Sequence, residues 1–510
     1  MALINSFISW LMKKRIHQIE LFMKYPHEVQ AEWFRKLISA VAPTEWGKAH
    51  GYDSIKSVED FRANVPVQDY ESLKPYIQRI MRGQQQVLWP SEIKWFAKSS
   101  GTTQDKSKFI PVSTESLEEC HFKGGKDMLS LYFHQNPDPR LFTGKSLALG
   151  GSHTINQFSN ESFYGDLSAI IIQNLPFWAE FSRIPGKDIA LMDKWETKIE
   201  KMARAVLPEN VTSISGVPSW TLVLIRRILE ISGKNDLKDV WPNLEVFFHG
   251  GVNFGPYRKQ FETLISGPMQ YMETYNASEG FFGIQDQANS DELLLMLDYG
   301  IYYEFLPLDQ LGSDSPKALS LHEVTTGTNY APLITTNGGL CRYLVGDTIA
   351  FTSLSPYRIR ITGRTKNFIN AFGEELIIDN AEKALAIATE KTKCEISEYT
   401  AGPVYMLDGS KGRHEWLIEF VTVPESLDYF MEVFDNALKT LNSDYEAKRY
   451  ADMALGRPII RSLPQGTFYE WLKMKGKLGG QHKVPRLSND RKIIDEITSM
   501  PGYKELRNTA

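Results

Sequence analysis

Between residues 146 and 280 the chain repeats one pattern that few folds accommodate: a short apolar run that closes in glycine, then a helical stretch. Ser146–Leu149 leads into Gly150-Gly151, Ala169–Ile172 is a β-branched run, and Leu222–Ile231 has helical character. Leu244–Phe248 ends at His249-Gly250-Gly251, and Met269–Tyr275 ends at Asn276-Ala277-Ser278-Glu279-Gly280. Strands alternating with helices predict an α/β architecture with ligand loops at the strand ends. Glycines there let a ligand approach the backbone closely.

The flanking segments differ. Residues 7–42 carry helical periodicity (Ile8, Leu11, Ile16, Ile19, then Trp33, Phe34, Leu37, Ile38), with a break at Pro26. Thr114 begins a further helix, with Glu118 close by as a cap. After about 290 the texture becomes antiparallel. Leu293–Leu297 and Ile301–Phe305 flank Asp298-Tyr299-Gly300, and Ala331–Thr336 and Leu340–Leu344 flank Asn337-Gly338-Gly339, both hairpin signals. Strands at Ile349–Thr352 and Tyr357–Ile361 complete a small, barrel-like β subdomain over about 290–363 that carries Asp347 in a turn. A boundary near Gly363–Lys366 predicts a large N-terminal domain, 1–363, and a small α+β C-terminal domain, 364–510. Late in the second, Lys473, Lys475, Lys477 and Lys483 stand among Gly476, Gly479 and Gly480; a solvated basic loop is one reading of them.

At 510 residues the chain has ample volume for two or more domains. Its charged content of 23% and formal charge of -5 give no footprint for nucleic acid. Cys120, Cys341 and Cys394 are far apart, which argues against a zinc site or disulfide framework and suits a reducing cytoplasm. Met1–Met12 is a short interrupted apolar run, and its basic cluster Lys13-Lys14-Arg15 follows rather than precedes it. That order suits neither a signal peptide nor a membrane span. A helix packed on the domain is expected, with a membrane-surface role as the alternative.

Ser99-Ser100-Gly101-Thr102-Thr103 places four hydroxyls and one glycine in five positions, with Lys106 and Lys108 beyond. Hydroxyl donors, backbone N–H groups in a glycine turn and nearby ammonium groups are parts that hold a polyphosphate. The spacing is not that of the P-loop, and a polar surface turn is the plain alternative. A strand before the loop and a helix after it are expected to close it.

Four pieces, namely this loop, Gly250-Gly251, Tyr275-Asn276-Ala277-Ser278-Glu279 and Tyr343-Leu344-Val345-Gly346-Asp347, stand in order before Gly363-Arg364-Thr365-Lys366. Together they resemble the adenylate-forming superfamily of acyl-CoA synthetases, peptide-synthetase adenylation domains and luciferases. The closer resemblance is to the Gretchen Hagen 3 family of acyl acid amido synthetases, auxin-responsive in plants and also bacterial. It rests on Gln104 after the hydroxyl run, the short Tyr-x-x-Ser-Glu and Tyr-x-x-Gly-Asp motifs, and Gln481-His482-Lys483-Val484-Pro485-Arg486.

The resemblance implies an enzyme that uses Mg²⁺ and ATP to convert a carboxylic acid to an acyl-adenylate, then passes the acyl group to an amino acid. It implies that Ser99, Ser100, Gly101, Thr102 and Thr103 hold the departing phosphates, and that Gly250, Gly251, Thr274, Tyr275, Ser278, Asp347 and Arg364 bind nucleotide. Tyr275 would lie against adenine, Ser278 near the α-phosphate, and Asp347 on both ribose hydroxyls. Glu279 would hold Mg²⁺ and Lys483 would reach the α-phosphate and the acyl carboxylate, brought in by a mobile C-terminal domain. The plain alternatives are a helix N-terminal carboxylate for Glu279 and an ordinary turn for Asp347. Asp105 and Ser107 depart from the glycine and proline common in the loop, and Gly373-Glu374-Glu375 lacks a cation many relatives carry, so no phosphate role is assigned there. His153, Phe158, Phe177, Trp178, Phe181, Phe247 and Phe254 are acyl-pocket candidates, each equally at home in a core. An acyl-CoA ligase sharing the first half reaction and a nucleotide-binding protein without turnover are the rival functions.

Overall fold

The computed structural model describes residues 14–99, 108–136, 139–150, 155–159, 161–192, 195–252, 254–311, 313, 316–365, 368–374, 376–406, 411–449, 455–475, 484–501, 503 and 505. Residues 14–24 and α1 (Pro26–Val41) are helical, interrupted at Tyr25 as the proline requires. α1 buries Phe34, Leu37, Ile38 and Val41, one face of the helix. The apolar start, Met1–Met12, lies outside the described residues.

The dominant element is a mixed sheet, 13-stranded among the described residues. Its parallel half runs β1 (Lys145–Ala148), β2 (Val211–Gly216), β3 (Val246–Gly250) and β4 (Gln270–Ala277), each bonded to the next. The cores of β2 and β3 are buried on both faces, as expected where helices cover a parallel sheet. One such helix is α2 (Pro218–Ser232), opened by a proline at its first turn and closed by Gly233 at φ +66. Its buried Leu222, Leu224, Ile225, Ile228 and Leu229 each contribute about 1.5–3 kcal/mol of transfer free energy.

The antiparallel half extends this same sheet edge to edge. β5 (Gly280–Ile284) pairs β4, β6 (Leu293–Leu295) pairs β5, and the order continues through β10, β9, β8 and β7, where β7 is Ile301–Pro307, β8 is Asn329–Thr336, β9 is Asp347–Leu354 and β10 is Tyr357–Arg364. The expected barrel-like subdomain is thus an antiparallel extension hydrogen-bonded to the parallel strands.

Three local expectations are corrected. Ala169–Ile172 lies in a helix, Leu167–Gln173; four apolar residues satisfy either period, and here Ala169, Ile170 and Ile172 form a buried helix face. Asp298-Tyr299-Gly300 does not close a hairpin, because β6 bonds β5 and β10 while β7 bonds β8. A hairpin tip sits in water, whereas Tyr299 is fully buried with its hydroxyl on Asp127 Oδ2 at 2.7 Å. The helix at Thr114 is capped by the preceding Ser113, whose side chain accepts from the Ser116 N–H. The Asn337-Gly338-Gly339 hairpin is present, with Ile334 opposite Tyr343.

Beyond β10 the chain forms β11 (Glu395–Val404), antiparallel to β12 (Arg413–Thr422), which pairs β13 (Ile459–Leu463) in parallel. Helices Ile378–Thr392 and Leu427–Leu441 share a core with Tyr399, Trp416 and Ile418, and that core is continuous with Trp220 and Phe247 of the parallel half. Ser219 Oγ donates to the Phe372 carbonyl at 3.2 Å, and Lys448 Nζ stands 4.1 Å over the Trp220 ring, joining the two parts. Lys473 lies on the helix Thr467–Met474 rather than in a loop, while residues 476–483 fall outside the described ones. Among the described residues no helix is long and apolar enough to cross a membrane.

Candidate active site

Parallel strands bring their carboxyl ends to one edge, and Gly250, Tyr275, Ser278-Glu279 and Asp347 collect there. Gly250 ends β3 opposite Thr274 of β4. A Cβ on Gly250 would stand 2.4 Å from the Thr274 carbonyl oxygen, so only glycine allows this approach. Gly251 follows at φ +82, and Thr274 Oγ1 donates to the His249 carbonyl at 3.2 Å. Past Ala277 the chain reverses through Ser278-Glu279 into β5, with Ala277 opposite Gly280. Glu279 therefore caps no helix; it stands at the tip of a hairpin.

Asp347 opens β9 opposite Arg364 of β10. The residue is 8% exposed and its carboxylate is doubly held: Tyr275 Oη donates to Oδ2 at 2.6 Å and Arg364 Nε to Oδ1 at 2.7 Å. Two motifs 72 residues apart thus meet at one carboxylate. An ionised carboxylate has about four acceptor positions, so two remain for further donors. Tyr275 itself is in the core, edge-on to Phe282 with centroids 4.9 Å apart, and burial next to Asp347 keeps its phenol protonated. What its side chain offers the site is the hydroxyl on Asp347, a role the sequence did not reveal.

The two strands that flank the hydroxyl-rich loop pair with each other. Trp95–Ser99 and Lys108–Val112 pair antiparallel with Ser99 opposite Lys108, so a strand stands on each side and the helix comes only after the second. Ser100, Gly101, Thr102 and Thr103 lie outside the described residues, but the hairpin's base is fastened to the Asp347 motif. Tyr70 Oη accepts from the Phe109 N–H at 2.9 Å, and Gln68 bonds Arg342 and Leu344 through its backbone. Arg342, at φ +43, is locked by Glu304 at 2.8 Å and by the Val65 carbonyl at 2.6 Å, all buried. Neither Arg342 nor Glu304 carried a sequence signal, since their meeting depends on β7 and β8 being neighbours.

Lys483, with Gln481 and His482, lies outside the described residues; Pro485 and Arg486 beside it are tied to β11 by Thr400 Oγ1 and the Ala401 N–H. Glu374 is turned fully inward, with Oε1 2.7 Å from His414 Nε2 and Oε2 accepting from the Phe372 N–H, so it has no phosphate to meet; Glu375 is not among the described residues. Phe247 and Phe254 are core: Phe247 stacks on Phe261 at 4.8 Å and Phe254 on His249 at 4.1 Å. Phe158 and Phe181 are exposed, and the side chains of His153, Phe177 and Trp178 fall outside the described ones. Two titratable groups beside the glycine edge, His249 buried and Glu273 half-buried, escaped sequence reasoning. His249 is kept neutral by burial, its value drawn down to about 3, and Glu273, its cross-strand partner, is pushed up to about 7 by burial and Asp291.

The parallel carboxyl ends thus meet the antiparallel extension at one held carboxylate. A 2-hydroxyisobutyryl-CoA ligase bound to 2-HIB-AMP and CoA shares the fold, at TM-score 0.56 and 14% identity over 92% of this chain and 91% of that one. So does an AtGH3.15 acyl acid amido synthetase in complex with 2,4-DB, at TM-score 0.63 and 19% identity over 96% of each chain. Models of the GH3 family match in order: its N-terminal domain over residues 15–269, its central domain over 294–364 and its C-terminal domain over 379–492. The chain belongs to the GH3 family. Among curated relatives, indole-3-acetic acid-amido synthetase GH3.3 of Arabidopsis thaliana is 23% identical, covering 95% of this chain and 93% of that protein. The 4-substituted benzoates-glutamate ligase GH3.12 of the same plant is 24% identical, covering 92% and 94%.

Proposed function

We propose that this chain is an acyl acid amido synthetase that uses ATP to join a carboxylic acid to the amine of an amino acid. Membership of the GH3 family and relatives named as amido synthetases along nearly the whole chain support this. The observation that carries the nucleotide reading is Asp347, gripped by Tyr275 and Arg364 beside the Gly250–Thr274 edge. Its remaining acceptor positions suit the two ribose hydroxyls. Ser99, Ser100, Thr102 and Thr103 then hold the leaving phosphates, and Ser278 stands by the α-phosphate.

In the first half reaction a carboxylate oxygen of the acid attacks the α-phosphorus, the bond to the bridging oxygen breaks, and pyrophosphate leaves. Lys483 faces the charge that builds between them. In the second, the amine nitrogen attacks the acyl carbon, loses a proton, and AMP departs with the electron pair. Among the described residues no three His, Cys, Asp or Glu side chains converge on a metal site. A single protein carboxylate, Glu279, would suit a Mg²⁺ ion held mainly by phosphate oxygens. Bound there, the ion would neutralise phosphate charge. We read residues 364–510 as the part that rotates about 364–368 to present Lys483, and the enzyme as cytoplasmic, in keeping with its unpaired cysteines.

The test is pyrophosphate release with Mg-ATP against a panel of aromatic and aliphatic acids, with and without mixed amino acids or coenzyme A. Release that depends on the acid and rises with amino acids, with an amide seen by mass spectrometry, is the expected result. A thioester with coenzyme A and no amide refutes it in favour of an acyl-CoA ligase. ATP binding without release for every acid favours a binding protein.

A further inference from the structure

Past β10 the chain enters the C-terminal part through Asn370–Phe372, a segment bonded on two sides. Toward the parallel half, Asn370 Nδ2 donates to the Gly251 carbonyl at 3.4 Å, Tyr257 Oη to the Ala371 carbonyl, and Ser219 Oγ to the Phe372 carbonyl at 3.2 Å. Toward the C-terminal part, the Asn370 N–H donates to Asn489 Oδ1 at 2.6 Å and the Phe372 N–H to Glu374 Oε2 at 2.7 Å. Carbonyls and one amide side chain thus face one side of this seam, and backbone N–H groups the other. The contact at Gly251 falls in the proposed nucleotide edge itself. It is also the longest, so it depends most on how Asn370 is held.

Asn489 does that holding, with its own carbonyl fixed by Tyr405 Oη at 2.6 Å. Upstream of it, a strap from Val484 is laced to β11. Thr400 Oγ1 donates to the Pro485 carbonyl at 2.6 Å, and the Ala401 N–H to the Arg486 carbonyl and the Ser488 N–H to the Ala401 carbonyl, both at 2.9 Å. Laid along a strand in this way, Val484 stands roughly 17 Å from Asn489. Leu487 belongs to the core shared with Trp220 and Phe247, whereas Val484 packs among Leu417, Leu463, Phe468, Trp471 and Ile494, all of the C-terminal part. The Asn489 end of the strap therefore meets the glycine edge. The Val484 end, next in the chain to Lys483, is packed in a different cluster.

We infer that Asn370, oriented by Asn489, is a positioning residue for the amide-forming half reaction, seating the C-terminal part on the glycine edge in an arrangement that turns the Val484 end away. This rests on the reading of Lys483 as the adenylation lysine. The experiment makes one chemical change at two positions. Asn370→Asp removes the donor to Gly251, whereas Asn489→Asp keeps the acceptor for the Asn370 N–H and Asn489→Ala removes it. Hydrogen exchange of the full chain without nucleotide, read by mass spectrometry on peptides spanning 255–264 and 368–374, reports docking; thermal midpoints are recorded in parallel. Asn370→Asp and Asn489→Ala are expected to speed exchange about fivefold in both peptides, the scale of one lost hydrogen bond, and Asn489→Asp to recover most of the protection. Parent-like exchange in Asn370→Asp overturns the inference, as does an equal loss in Asn489→Asp and Asn489→Ala. The half reactions are then separated, with the panel acid that releases most pyrophosphate: acyl-adenylate formation without amine, then its consumption on adding mixed amino acids. The ratio of the second rate to the first should fall about fivefold in Asn370→Asp. Equal slowing of both with a lower midpoint marks a purely structural seam, and selective slowing of adenylation assigns this arrangement to the first half reaction; either overturns the inference. If no acid releases pyrophosphate, the synthetase reading fails, and the exchange result still decides whether Asn370 seats the C-terminal part.

Discussion

Replacing Asp347 with asparagine tests the nucleotide reading with little change of shape. The amide can donate to Tyr275 Oη and accept from Arg364 Nε, the two partners now 2.6 and 2.7 Å from the carboxylate. Arg364 is partly exposed, so the lost ion pair costs the fold at most about 1 kcal/mol. Binding is affected more. A hydrogen bond to a charged acceptor is worth about 1.5–3 kcal/mol and one to a neutral acceptor about 0.5–1.5, a difference of roughly 1 kcal/mol for each ribose hydroxyl. Two hydroxyls give about 2 kcal/mol, or about a 30-fold rise in the Kd for ATP. Calorimetric titration of ATP into both proteins at one salt concentration reads this directly. Tyr275→Phe, which keeps the carboxylate and loses only its orienting donor, should weaken binding by about fivefold, or about 1 kcal/mol. A folded Asp347→Asn protein whose Kd stays within twofold of the parent would refute the assignment of Asp347 to the ribose.

Arg342→Ala strands a Glu304 carboxylate that is almost fully buried, although Arg62 Nε remains 3.0 Å from it. A loss of about 3 kcal/mol in urea unfolding is expected, and one under about 1 kcal/mol would show that Arg62 suffices. Glu273, with its carboxyl raised to about 7, holds a proton in the folded state that the unfolded chain releases near 4.5. Its contribution is therefore present below about 4.5 and lost as pH rises to about 7, at most about 3 kcal/mol. Glu273→Gln should remove that slope, seen as a smaller stability difference between pH 5 and pH 7 than in the parent. Lys483→Ala should slow acid-dependent pyrophosphate release by roughly 10² to 10³ while ATP binding persists, and an unchanged rate would leave Lys483 a solvated cation.

The glycine-terminated runs were legible because strand ends at a parallel edge need backbone without side chains, and that need is written into single positions such as Gly250. The hairpin at Asn337-Gly338-Gly339 was legible for a similar reason, since the turn chemistry is local. Asp298-Tyr299-Gly300 had the same local signature and failed, because the buried Tyr299 and its bond to Asp127 outweighed it. Ala169–Ile172 failed because four apolar residues fit a strand or a helix face equally.

The sequence by itself determined which residues can bear charge, which positions tolerate only glycine, and the order of motifs that marks the family. Tertiary structure decided what each charge meets. Glu374 was indistinguishable from a surface carboxylate until His414 closed on it, and Tyr275 from a free aromatic until its hydroxyl reached Asp347. Such pairings join residues distant in the chain. They exist only once strand order is set, and the burial that sets strand order is a property of the whole core.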